Sequence, residues 1–438
     1  MQKKSIYKFM NPNTIKYAFD SFVKYKENTE NQVDLNQPHE IKADPPMKFP
    51  DGIKRLAEAF KKAKEVAIGK EIDSKAGGEK DVTLKSKKLY IVGGAVRDYL
   101  LGHTPKNYDL ATDAHPEEVL HILKACKPTV HVKKQDDKKG ITWVSLDGED
   151  YEIHTLSKKS NNPEENGDVF TTNPGEDCDK RDFTINALYY DIIGNKIIDH
   201  CGGIRHLKDG EIKPIGKGED KLKGVGKYRM MRFMNTVPNG RIDDDTKKSL
   251  HKVAGDDEDT SPEKIREEFL KGLEHAHSNV KRYITSYSES GLLNKVFPGL
   301  EISADIPDCP TCKNRVIVLA FLLKNNKPAK LVKCLKELKY TDREIKDSVY
   351  LINLLWFAPD YVYDFKRELI NTSLTKRQMV DWAKLNKLDK NMIEKLIDYQ
   401  LQINGNEVAE KEGLDGDMLR GHIKKLEADN FKKSLSED

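Results

Sequence analysis

The stretch Ile91 to Thr112, IVGGAVRDYLLGHTPKNYDLAT, decides how this chain is read. Two glycines, Gly93 and Gly94, follow a short apolar run and precede the pair Arg97-Asp98. A further strand is expected over Tyr108 to Ala111, with Asn107 and Asp109 two positions apart. Glycines let backbone N–H groups approach phosphate oxygens with no Cβ in the way, and a helix N-terminus favours anions. Arg97 adds a forked donor suited to phosphate. Residues i and i+2 of a strand share a face, so Asn107 and Asp109 are expected at one metal position. Two glycines after a strand are, by themselves, more often a tight turn. Asp98 by itself reads as a helix salt bridge or as a group that supports the site from behind its ligands.

Composition sets the bounds. The chain has 438 residues, enough for two or three domains, and 34% of them are charged with a net charge of only +3. A nucleic-acid partner would therefore be met by local basic patches rather than by global charge. The longest apolar run, Val316 to Leu323, has the size of a buried helix and is too short to span a bilayer. The start, MQKKSIYKFMNPN, lacks an apolar leader core, so a cytoplasmic protein is expected. Of six cysteines only Cys309 and Cys312 form a C-x-x-C pair, with no further zinc ligands near. Reduced thiols are the expectation.

Outward from the opening stretch, residues 1–86 read as an N-terminal extension with a short helix around Thr14 to Tyr25. Within it, Ile53, Leu56, Phe60, Ala63 and Val66 recur at helical spacing and predict an amphipathic helix over Gly52 to Ile68. Strands are expected at Lys88 to Val92, Ile141 to Leu146 and Tyr151 to Leu156, the last two joined by Asp147-Gly148. Helices are expected at Val96 to Leu101 and from Pro116 onward. Ser157 to Pro174 has no periodicity and reads as a mobile loop. Beyond Gly203 the pattern is helical, with a sound start at Ser261-Pro262-Glu263.

Three further constellations bear on chemistry. Glu152, on the strand DYEIHTL, shares a face with Asp150 and His154; as one carboxylate it is a solvated strand face, and with Asn107 and Asp109 it favours metal. In DCDKRDFTINAL, Arg181 and Asp182 are expected on a packed helix, suited to ribose or phosphate. Asn186 is the oddity there, because an amide in an apolar run needs partners. Lys217, Lys221, Lys223, Lys227, Arg229 and Arg232 form the best local candidate for an RNA- or triphosphate-facing surface, with a solvated charge run equally open.

Taken in order, GGAVRDYLLG, NYDLAT, DYEIHT, KRDFTINAL and DHCGGIRHLKDGEI resemble the motifs of class II tRNA nucleotidyltransferases and bacterial poly(A) polymerases. SPEKIREEFLKGL and SESGLLNKVFPGL are similar to that family's neck and body, and EKEGLDGDMLRGHIKKLEADNF to the tail of CCA-adding members. The resemblance runs from about Lys88 to Phe431. It implies an α+β chain: a polymerase β-type head over residues 87–203, a helical neck over 204–277, and a helical, RNA-binding body and tail over 278–438. It implies addition of C and A from CTP and ATP to a tRNA or other RNA 3′ end with Mg2+. By position, Gly93, Gly94 and Arg97 would serve the triphosphate; Asp109, with Asn107 and Glu152, the metal; Arg181 and Asp182 the ribose; Arg229 and Arg232 the nucleotide in the neck.

The chain departs from the family in three places. Asn107 stands where the family has the first Asp of Asp-x-Asp. Lys180 replaces the first Arg of Arg-Arg-Asp. In the neck Glu-Asp-x-x-Arg, aligning on Arg229 and Arg232 puts Gly226 in the acid's place, while Glu219-Asp220-x-x-Lys223 restores the acid and loses the Arg. Poly(A) addition and a weakened, RNA- or nucleotide-binding homologue are the competing readings.

Overall fold

The apolar run before Gly93 is an inner strand of an eight-stranded sheet. In the computed structural model, which describes residues 38–73, 78–126, 129–160, 168–257, 260–275, 280–303 and 314–436, two compact units are present. The first holds residues up to Lys221 together with Asn239–Lys247. Its elements run β1 (His39–Lys42), α1 (Asp51–Lys61), β2 (Ala67–Asp73), β3 (Gly78–Thr83), β4 (Leu89–Val92), α2 (Gly94–Leu100), β5 (Asp109–Thr112) and α3 (Pro116–Ala125). There follow β6 (His131–Asp136), β7 (Ile141–Leu146), β8 (Glu149–Thr155), β9 (Ser157–Lys159), β10 (Asp168–Phe170), α4 (Pro174–Cys178), β11 (Leu188–Asp191), β12 (Lys196–Asp199) and α5 (Gly203–Asp209).

The large sheet has the order β1-β12-β11-β4-β5-β8-β7-β6, and only β5 and β8 pair in parallel. Alternation sends Ile91, Leu110, Ile153, Leu188 and Tyr190 to one face, where Ile53, Leu56 and Phe60 of α1, Val96 of α2 and Ile122 of α3 cover them. Tyr90, Val92, Ala111, Tyr189 and Ile198 take the opposite face, in a smaller core with Leu156, Cys178 and Ile215.

Residues 39–65 therefore belong to the head and are not a separate extension. β1 is the sheet's edge, and α1 buries Ile53, Leu56 and Phe60 completely. Periodicity identified the helix, but a stripe does not say which surface receives it. The helix stops at Lys61 because the chain tightens into a 3-10 turn, Lys62–Glu65, and then pairs as β2 with β3. The helix expected at Thr14 to Tyr25 lies outside the described residues.

Other expectations also change. The segment from Ser157 to Pro174 is not simply a loop: β9 and β10 pair antiparallel, Phe170 against Ser157. DCDKRDFTINAL is not a helix either. It is the end of α4, a turn, a 3-10 turn at Thr184–Asn186 and the entry to β11. The chain after α5 causes this, because Thr184 N donates to Lys213 O at 3.0 Å and Ile215 N to Asp182 O at 3.1 Å. The same bonds carry the first unit past the boundary expected at 203. A disulfide joins Cys178 to Cys201, against the expectation of reduced thiols; 23 residues of sequence separation gave no hint that β12 ends beside α4. Cys309 and Cys312 lie outside the described residues.

Buried Asp199 anchors the turn after β12, accepting from Cys201 N, Gly203 N and Ile204 N at 2.9–3.0 Å. Gly203 is required there, since a Cβ would sit 2.1 Å from Thr184 O.

The second unit, Leu222–Pro238 with Lys248–Asp438, is helical among its described residues, as expected. Phe269 packs against Tyr283, Tyr287 and Phe297 with ring centroids 5.0–5.6 Å apart. Thr341 with Glu344, and Thr375 with Gln378, form capping boxes that start two of its helices. Lys227 is fully buried and pairs with Asp257 at 2.8 Å; Lys295 and Tyr228 OH reach the same carboxylate at 2.9 Å. Burial would raise the Asp257 pKa, but these three partners outweigh it and hold it below the ordinary value. No helix among the described residues is long and apolar enough to cross a membrane.

Two outcomes follow for stability. Phe60→Ala should destabilise the head by about 3–5 kcal/mol in denaturant unfolding, as expected for a core aromatic; a change below about 1 kcal/mol would place α1 outside the core. Asp257→Asn should cost about 3 kcal/mol at neutral pH, because Lys227 stays buried without its anion. The wild-type contribution is complete above the ordinary carboxylate pKa and is lost as pH falls through the lower folded value. The gap in thermal midpoint between wild type and variant should therefore close in acid.

Candidate active site

Strand register assembles the centre of the site. Asp109 is the Cα partner of Val92 on β4 and, in parallel, of Glu152 on β8. Glu152 in turn faces Trp143 on β7. One row thus crosses four strands as Trp143, Glu152, Asp109 and Val92, and Gly93 is the next residue of the chain. Side chains in such a row stand on one face, at spacings of roughly 5 Å. The turn Asp147-Gly148, with φ of +56° and +84°, sets the β7–β8 register. Two positive φ values are what a two-residue hairpin of matching twist requires.

Asn107 does not share that row. β5 begins at Asp109, so Asn107 lies in the connection before it, and strand alternation does not pair the two. They nonetheless line one cleft of 640 Å³ with Glu152, Lys106, Lys48 and Phe49. Glu152 Oε1 accepts from Trp143 Nε1 at 2.8 Å, and Oε2 lies 3.4 Å from His154 Nε2. Among the described residues, no three His, Cys, Asp or Glu side chains gather as a metal group. Two exposed carboxylates on adjacent strands still suit magnesium, a hard ion that keeps several waters.

The glycine turn adjoins this row. Gly93 has φ +71° and caps α2; a Cβ there would lie 3.7 Å from both Arg181 Nη1 and Asn186 O. Arg97 Nε and Nη2 donate to Asp98 Oδ1 at 3.1 and 2.7 Å, and its Nη1 donates to Asn186 Oδ1 at 2.7 Å. Asn186 Nδ2 donates to Asp182 Oδ1 at 3.2 Å. The odd amide is thus the joint of a chain, Asp98–Arg97–Asn186–Asp182, that ties the glycine turn to the second motif. Asp98 takes the ion-pair role that its helix position suggested.

Arg181 is clamped from the other side. Its Nε and Nη2 lie 3.1 and 3.0 Å from Asp177 Oδ2, and Nε donates to Tyr189 OH at 3.0 Å. Tyr189 OH donates to the same Asp177 oxygen at 2.7 Å. Burial opposes the Arg181 charge, but Tyr189 and Asp177 outweigh it and raise its pKa. Burial pushes the Tyr189 hydroxyl up, so it stays a neutral donor. Lys221 Nζ donates to the carbonyls of Asp179 and Arg181 at 2.8 Å each. Asp177 and Tyr189 were not singled out in the sequence; a tyrosine eight residues beyond an arginine gives no signal until the strand turns back.

The basic run does not form one surface. Lys221 braces the Arg181 turn, and Lys227 is buried against Asp257. Arg232 Nε donates to Glu268 Oε2 at 2.5 Å and its guanidinium lies 4.2 Å from the Phe233 ring. Arg229 Nε is 3.8 Å from Glu268 Oε1, its side chain 45% exposed. Glu268, itself buried, is the acid these two arginines find, and it lies downstream of them rather than upstream, where the family motif has its acid.

Residues 89–213 match the poly A polymerase head domain family. The chain is 28% identical over 311 residues to a CCA-adding enzyme of Lactobacillus johnsonii, which spans 67% of this chain and 75% of that protein. It is 32% identical over 199 residues to poly(A) polymerase I of Escherichia coli, 43% of this chain and 42% of that one. The fold is similar to the Bacillus stearothermophilus CCA-adding enzyme in complex with CTP: TM-score 0.59, 22% identity, 80% of this chain and 89% of that chain. It is likewise similar to the Thermotoga maritima CCA-adding enzyme complexed with tRNA: TM-score 0.59, 18% identity, 88% and 92% coverage.

Asn186→Ala should weaken nucleotide triphosphate binding about tenfold in calorimetry, since Arg97 and Asp182 lose the amide between them. Unchanged affinity would mean that the chain of bonds only stiffens the fold.

Proposed function

We propose that this chain, which belongs to the family of CCA-adding enzymes and bacterial poly(A) polymerases, is a template-independent RNA nucleotidyltransferase that adds C and A from CTP and ATP to tRNA 3′ ends. The observation that carries the reading is the row Glu152–Asp109–Val92 ending at the Gly93 turn, with Arg181 on that turn. Coverage favours CCA addition: the Lactobacillus johnsonii enzyme is matched over 75% of its length, the Escherichia coli poly(A) polymerase over 42%. The higher identity of the polymerase, 32% against 28%, is what keeps poly(A) addition as a second reading.

Asp109 and Glu152 would hold Mg2+, with Asn107 lending one neutral oxygen. Bound there, the ion supplies charge neutralisation of the triphosphate and acidification of the attacking hydroxyl. The rest falls to the chain's own groups. Gly93 and Gly94 leave room for phosphate beside the backbone, and Arg181 Nη1 brings fixed positive charge to the turn. Asp182, held by Asn186, accepts from ribose hydroxyls. Within the helical unit, Glu268 pairs with Arg229 and Arg232.

Asn107 brings no negative charge, so turnover should be slow. With a tRNA lacking its CCA end, Asn107→Asp should raise the single-turnover rate at least tenfold, about 1.4 kcal/mol of barrier, and Asp109→Asn should abolish it. Incorporation of CTP followed by ATP supports the reading; runs of A point to the polymerase. No incorporation, even with Asn107→Asp, would leave an RNA-binding homologue.

A further inference from the structure

We infer that Trp143 is a positioning residue for the metal carboxylate Glu152; the inference rests on the reading that Asp109 and Glu152 hold the divalent ion. Glu152 has two neighbours in its row, Asp109 on β5 and Trp143 on β7. An indole has a single donor and no acceptor, and Trp143 Nε1 spends it on Glu152 Oε1 at 2.8 Å. A glutamate on an open strand face has three torsions to sample, and this bond selects one arrangement among them. With Oε1 committed to the indole, a cation shared with Asp109 takes Oε2, whose other neighbour is His154 Nε2 at 3.4 Å.

The indole is itself held. Lys134 is its Cα partner on β6, and Lys134 Nζ lies 5.2 Å from the ring centroid. The row thus extends across five strands as Lys134, Trp143, Glu152, Asp109 and Val92, with side-chain contacts linking Lys134 to Trp143 and Trp143 to Glu152. An ordinary solvated cross-strand pair would also show a Trp–Glu bond. It would not couple that bond to an ion at Asp109, and the coupling is measurable.

The test is Mn2+ binding to the full chain, followed by the electron paramagnetic resonance of free Mn2+, for wild type, Trp143→Phe, Glu152→Gln and the double variant. Trp143→Phe keeps an aromatic ring on β7 and removes the N–H donor together with the second ring. It should weaken Mn2+ binding about tenfold, the scale seen when a partner of a metal ligand is lost. In the Glu152→Gln background the same change should have no further effect. Equal affinity of Trp143→Phe and wild type, or an equal loss in both backgrounds, overturns the inference. A coupled loss in a protein that incorporates no nucleotide sustains this inference and removes the proposed function. Incorporation of CTP and ATP without coupling does the reverse.

Discussion

The parallel pairing of Asp109 with Glu152 is the constraint on which the site depends. A slip of one residue along β8 would turn Glu152 to the opposite face and bring Tyr151 or Ile153 into the open row. Both are buried in the main core of the head, against the layer that α1, α2 and α3 complete. Apolar burial therefore enforces the register, and the register places the carboxylates. At about 25 cal/mol per Å² of apolar surface, exposing those two side chains would cost several kcal/mol, more than a solvated ion pair could return. Residues 39–61 serve the site in this indirect sense, since α1 is part of the layer that holds β8 in place.

Around that row the polar groups are tied in series. Asp98, Arg97, Asn186 and Asp182 form one chain of bonds, and Asp177, Arg181 and Tyr189 form a second. Both are in low-exposure surroundings, where a missing partner costs more than the bond itself returns. The turn Lys180–Asp182 can thus present Arg181 to Gly93 without a helix beneath it. In the helical unit the same economy recurs at Glu268, which serves Arg229 and Arg232, and at Asp257, which serves Lys227 and Lys295.

The sequence was most legible where chemistry is local. The glycine turn, the strand Ile141–Leu146 and the helix start at Pro262 follow from turn residues, alternation and capping, while the strand expected at Tyr151 to Leu156 runs Glu149–Thr155. Counting outward from the two-residue turn observed at Asp147-Gly148 gives the pairing of Trp143 with Glu152, a register the sequence reading did not state. Illegible were facts that need two distant segments. Nothing in Ile53, Leu56 and Phe60 says that the helix they form covers the head. Cys178 and Cys201, or Asp177 and Tyr189, meet only once β11 and β12 have folded back. KRDFTINAL read as a helix because its apolar spacing suits one, whereas backbone bonds from residues 213 and 215 draw it into a turn. Lys227 looked like surface because charge usually is; its partner lies in a loop some thirty residues on.

The most direct measurement is anomalous diffraction from crystals of the wild-type chain grown with Mn2+ and CTP. The account predicts a manganese peak at about 2.1 Å from carboxylate oxygens of Asp109 and Glu152, with the triphosphate over the Gly93–Gly94 turn. A manganese ion bound to other residues, with Asp109 and Glu152 both outside its coordination sphere, would contradict it.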